Sequence, residues 1–99
     1  MRAWLRDALA PVRGDLSAAY LFGSVLHPDA HPADVDLVLV AIDGAGAPGW
    51  RRVRALRTAI APAFKRAFGL PLSGMVLTPS EWREVDGTIV REREPLLGD

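Results

Sequence analysis

The 99-residue chain contains no cysteine, which excludes disulfides, thiolate nucleophiles and Cys-based zinc sites together. It has no long hydrophobic run either. The longest unbroken apolar stretch, Leu37 to Ile42, falls far short of a membrane-spanning length. The N-terminal segment MRAWLRDALA carries charge at Arg2, Arg6 and Asp7, unlike a secretory signal, so the expected location is cytoplasmic. A net field is missing as well. Twelve basic and twelve acidic residues cancel, leaving no whole-molecule attraction toward nucleic acid or an anionic membrane. What is present, 49% hydrophobic and 24% charged residues, describes one globular domain over residues 1–99 with a real core and no room for a second. A large substrate would have to be held by something else.

Periodicity orders the chain as α-β-(loop)-β-α-β-α-β. Trp4, Leu5, Ala8 and Leu9 form one stripe of a helix over Arg2 to Ala10, and Pro11 discourages further turns. Leu16 to Phe22 reads as a strand running into Gly23-Ser24. The segment VLHPDAHPA, with two prolines, reads as a surface loop. Asp34 to Ile42 is aliphatic on both faces in its outer half, as expected of a central strand covered on both sides. Trp50 to Phe68 carries Val53, Leu56, Ile60, Phe64 and Phe68 at helical spacing, with Pro62 expected to kink or break it. Leu70 to Thr78 is a third strand candidate. Thr78-Pro79-Ser80-Glu81 matches a capping box with proline at the first helical position, predicting a short helix through Trp82 and Val85. Asp86-Gly87 then turns the chain into TIVRERE, a further short strand. The fold class expected is α+β or α/β, with a mixed sheet of three or four strands covered by helices.

The informative feature is a Gly-Ser pair, Gly23 and Ser24, followed after nine residues by Asp34-Val35-Asp36. Side chains two apart in a strand share a face, which puts Asp34 and Asp36 side by side, about 6 to 7 Å apart at Cα. Two carboxylates so placed repel each other and resist desolvation. A divalent cation reverses that penalty, and Mg²⁺ prefers carboxylate oxygens plus substrate phosphates. Two such ions can clamp the attacking and leaving oxygens of a phosphoryl transfer. Gly23 admits a close backbone approach to a phosphate, and Ser24 adds a hydroxyl where free N–H groups point outward. Each fragment alone is common, and an Asp34 that ends a loop with Asp36 facing water is the bland alternative. Their combination at two strand ends is more specific.

AYLFGSVLHPDAHPADVDLVLV, residues 19–40, resembles the nucleotidyltransferase superfamily that includes DNA polymerase beta, and most of all its minimal nucleotidyltransferases. The resemblance implies a polymerase-beta-type fold, binding of Mg²⁺ and a nucleoside triphosphate, most readily ATP, and transfer of a nucleoside monophosphate to a hydroxyl with loss of pyrophosphate. Gly23 and Ser24 would hold the triphosphate. Asp34 and Asp36 would be the catalytic, metal-ligating pair. The implied partner is a small helical HEPN-type protein in a toxin–antitoxin pair, with nucleic acid only as an acceptor and a homo-oligomer open. The chain departs from the family at a third acid on the next strand, where Ser73, Gly74 and Met75 stand. It departs also at Ala33 and at Val25-Leu26-His27, where the family often has a serine and an arginine or glycine. Losing a general base lowers a rate by roughly 10² to 10⁴, so a catalytically weak binding or antitoxin module is the alternative function.

Other patterns compete for notice. Gly44, Gly46 and Gly49 spell a dinucleotide-binding G-x-G-x-x-G between strand and helix, but nothing from Gly69 to Ser80 supplies the acid expected on the ribose. His27 and His31 have helical metal-ligand spacing in a proline-containing loop. Arg51, Arg52, Arg54, Lys65 and Arg66 avoid the apolar stripe of the long helix, as a solvated face would.

Overall fold

Every residue of strand β2 (Val35–Ala41) except Asp36 is buried, and this strand organises the computed structural model, which describes residues 1–26, 34–87 and 92–97. On one side β2 pairs antiparallel with β1 (Leu16–Phe22), and on the other parallel with β3 (Leu72–Leu77). A three-residue strand, β4 (Arg93–Pro95), pairs antiparallel with the far edge of β1, giving the sheet order β3-β2-β1-β4. The parallel β2/β3 pair needs a crossover. Helix α2 (Pro48–Phe68) supplies it.

Alternation along β2 divides the apolar residues between two layers. Val35, Leu37 and Leu39 face α1 (Arg2–Leu9) and α2, in a core that includes Leu5, Leu9, Leu21, Val53 and Phe64, all fully buried. Trp4 of α1 closes this layer edge-on to Phe64 and Phe68, with ring centroids 5.5 and 5.9 Å apart. Such T-shaped pairs add about 0.5–1.5 kcal/mol beyond their burial. Val38 and Val40 face the other way. They pack with Ala18, Tyr20, Phe22 and Met75 beneath Trp82 and Val85 of α3 (Pro79–Val85). The near-continuous apolar run in β2 is thus explained by helices on both faces. Because α3 has only seven residues, the second face is covered more sparsely.

The α+β architecture with a mixed four-stranded sheet is the one expected. The helix α3 opens on the capping box read from Thr78-Pro79-Ser80-Glu81: Thr78 Oγ1 accepts from the Glu81 amide at 3.3 Å, and Glu81 Oε1 accepts from the Thr78 amide at 2.9 Å. Three details differ from expectation. Pro11 does not end the helical path; the chain continues as a 3₁₀ segment, Ala10–Asp15, that buries Val12. Helix α2 starts two residues early, with Pro48 in its first turn, and runs through Pro62 without a break. Pro62 lies on the exposed side, while Val53, Ile60 and Phe64 hold the other side to the core, so loss of one intrahelical hydrogen bond does not interrupt the helix. Of the strand expected over TIVRERE, residues 88–91 lie outside the described ones, and the observed strand is Arg93–Pro95. Among the described residues no helix is long and apolar enough to cross a membrane.

Candidate functional site

The last pair of the β1/β2 ladder is Phe22 opposite Asp36, and Phe22 leads directly into the turn Gly23–Leu26 that contains Ser24. The turn and the Asp-x-Asp segment therefore meet at one end of the sheet. Gly23 adopts φ +79°, a left-handed conformation, and a Cβ built there would lie 2.5 Å from Asp36 Oδ2. No L side chain fits that gap without displacing the carboxylate, so glycine is required both by the backbone and by the approach. The turn's backbone lies hard against the Asp36 carboxylate.

Asp36 shares its face of the sheet with Val38 and Val40, the face covered by α3. It is half-buried, as is Asp34 just before β2. Burial raises the proton affinity of the Asp36 carboxyl above the ordinary carboxylate value, and the charge of Asp34 raises it further. Asp36 is thus kept beside a second negative charge at an electrostatic penalty. A hard cation shared with phosphate oxygens fits such a setting: a half-buried carboxylate with a second one close enough to raise its proton affinity, and a backbone cradle that a Cβ would fill. The two aspartates are not a complete cage, since among the described residues no three His, Cys, Asp or Glu side chains come together.

Parallel pairing puts Ser73 of β3 opposite Asp36. This exposed residue is the position from which a third acid would face the pair, while Gly74 points to the α2 face and Met75 packs deeper, beside Val38. The acids that follow β2 and β3 in the chain, Asp43, Glu81 and Asp86, lie or are engaged elsewhere. Glu81 caps α3, Asp86 pairs with Arg93, and Asp43 lies past the opposite end of β2. His27, His31 and Ala33 lie outside the described residues.

The glycine-rich segment before α2 does not present a free phosphate cradle. Asp43 Oδ2 accepts from the Gly49 amide at 3.1 Å, placing a carboxylate where the helix would receive an anion. Its other oxygen is buried without a partner among the described residues. Arg52 forms a two-pronged pair with Asp15 at 2.7 and 2.9 Å, and Arg54 lies over the Trp50 ring, so the basic side of α2 is a solvated face with local partners. A groove of about 550 Å³ between α2 and β3, lined by Arg57, Thr58, Lys65, Leu72 and Gly74, opens on the sheet face opposite Asp36.

The register also collects a residue that the sequence did not single out. Arg93 of β4 pairs with Phe22, so Ser73, Asp36, Phe22 and Arg93 stand in one row across four strands.

No protein-family model matches the sequence, and no curated protein matches it significantly. Solved structures do match in shape. A mutant of the MntA–HpeT toxin–antitoxin superposes with a TM-score of 0.62 at 16% identity, over 100% of this chain and 74% of that one. A toxin–antitoxin with AMP-PNP gives 0.62 at 18% identity, over 99% and 73%. A chain from the complex of a tri-AMPylated Shewanella oneidensis HEPN toxin with an MNT antitoxin gives 0.56 at 18% identity, over 99% and 70%. The mixed sheet with its antiparallel β1/β2 end and parallel β3 therefore belongs to a fold shared with these toxin–antitoxin structures.

Proposed function

We propose that the chain is a minimal nucleotidyltransferase that moves a nucleoside monophosphate from a nucleoside triphosphate, ATP by preference, to a hydroxyl of a partner protein. The single observation that carries this reading is the contact between the Gly23 backbone and the Asp36 carboxylate, with Asp34 beside it. Two fold neighbours support it by what they contain, AMP-PNP in one and a tri-AMPylated HEPN toxin in the other.

In this reading Gly23 and Ser24 lie along the triphosphate, with the turn's backbone admitted to the phosphates because Gly23 has no side chain. Asp34 and Asp36 hold Mg²⁺, which neutralises phosphate charge. The acceptor oxygen forms a bond to the α-phosphorus as the bond to the bridging oxygen breaks, and pyrophosphate leaves. Ser73 cannot serve as the base that a carboxylate would be, so the acceptor's proton passes to solvent or to a group the partner brings. That feature favours the second reading, an antitoxin module that binds nucleotide and partner but transfers slowly.

The discriminating experiment is incubation with α-labelled ATP, Mg²⁺ and the co-purified partner. Label should move to the partner with the wild type and not with D34A/D36A. Absence of transfer with nucleotide binding intact selects the binding module.

A further inference from the structure

The row Ser73–Asp36–Phe22–Arg93 places a cation on the same sheet face as the aspartates, because in-register neighbours share a face. Two strand spacings separate Asp36 from Arg93, about 10 Å at Cα. Between them Phe22 runs into the Gly23–Leu26 turn, and β4 packs against that turn from the other side. The turn is therefore flanked by the strands that carry Asp36 and Arg93.

The Arg93 side chain is held in place. Its guanidinium carbon lies 5.2 Å from the ring centroids of both Tyr20 and Trp82, which stack on each other at 5.1 Å, and it pairs with Asp86 at the end of α3. About a third of the side chain remains exposed (32%), enough for a ligand to reach it. The next residue, Glu94, alternates to the opposite side and pairs with Arg2. No arginine follows the Gly-Ser pair itself, where Val25 and Leu26 stand. A triphosphate lying along this turn carries negative charge past the two aspartates and needs a cation beyond them.

We propose that Arg93 binds the tail phosphates of the nucleoside triphosphate, exchanging its Asp86 partner for phosphate oxygens while Tyr20 and Trp82 keep the guanidinium over the site. Arginine suits this role through its planar fork, which pairs with phosphate in two-pronged fashion, and the aromatic faces orient it in advance. The proposal rests on the reading of Gly23, Asp34 and Asp36 as the nucleotide site.

Calorimetric titration with AMP, ADP and ATP in the presence of Mg²⁺ tests it on wild type, R93Q, R93K and D86N. R93Q should weaken ATP by about 10- to 100-fold, as loss of a charge-assisted bond does, and ADP nearly as much. AMP should change by less than about threefold. R93K, which keeps the charge and loses the fork, should fall between wild type and R93Q. D86N should bind ATP as tightly as wild type or more so. Melting curves identify a variant that fails to fold, and R93K then carries the comparison. ATP affinity unchanged in R93Q and R93K, or an equal loss for AMP and ATP, overturns the proposal while leaving the site reading intact. A wild type that binds none of the three nucleotides overturns the site reading and this proposal with it.

Discussion

Asp36 is the only residue of β2 that is not buried, and its carboxylate is held against the Gly23 backbone and beside Asp34, with burial and like charge both opposing its ionisation. Perturbed carboxylates of this kind cluster at functional sites, which is what makes Asp36 a candidate. The same geometry makes Ser73 informative, because a carboxylate at that position would face Asp36 directly. Ser73→Asp should therefore raise label transfer to the partner by about 10²-fold, the low end of what general-base assistance contributes. It should also lower the melting temperature by up to about 4 °C through added like charge. Transfer unchanged in a folded S73D protein would mean that the row opposite Asp36 is not where the acceptor's proton is removed. The Gly-Ser pair and the aspartates were legible in the sequence because their chemistry is unusual at strand ends. The assignment of Ser73 was not, since three residues, Ser73, Gly74 and Met75, were equally open until the parallel pairing fixed one of them opposite Asp36. Arg93 was invisible for the same reason. Local alternation says which residues share a face of one strand and nothing about which strand lies next to it.

Elements with a local cause were read well. The strand over Leu16–Phe22 was read at its observed bounds, and α3 begins at its capping box. The misreadings came where tertiary contact overrides a local rule. Pro62, expected to kink or break α2, does not break it, because residues on both sides of it are anchored in the core. The first α-helix does stop before Pro11, at Leu9, but Val12 continues inward on a 3₁₀ path where no further turn was expected. That path ends at Asp15, whose pair with Arg52 ties the start of β1 to the first turns of α2. The hydrogen bond from Arg52 holds the Asp15 carboxyl below the ordinary carboxylate value. A lowered folded-state pKa adds stability above the unfolded value of 3.8, and that stability is lost as pH falls through the folded value. Wild type should accordingly melt slightly above D15N at neutral pH, and the two should start to converge as the pH falls below about 3.8 and meet once it is below the lower folded value. A difference that persists in acid would assign the effect to packing rather than to the ion pair.

At the level of the whole chain, zero net charge and the absence of cysteine set aside a net-charge field and thiol chemistry, which leaves local constellations of residues to be weighed. The candidate lies at the end of the sheet where β1 turns and β2 begins, on the face that α3 covers. The opposite end is closed to phosphate by Asp43 on the α2 N-terminus. A single binding experiment decides whether the open end is what it resembles. Titration of the wild-type protein with ATP and Mg²⁺ should show saturable, metal-dependent binding that D34A/D36A abolishes while keeping a wild-type melting curve or a higher one. Binding of equal strength in the wild type and in the double variant, or its absence from both, would contradict the account.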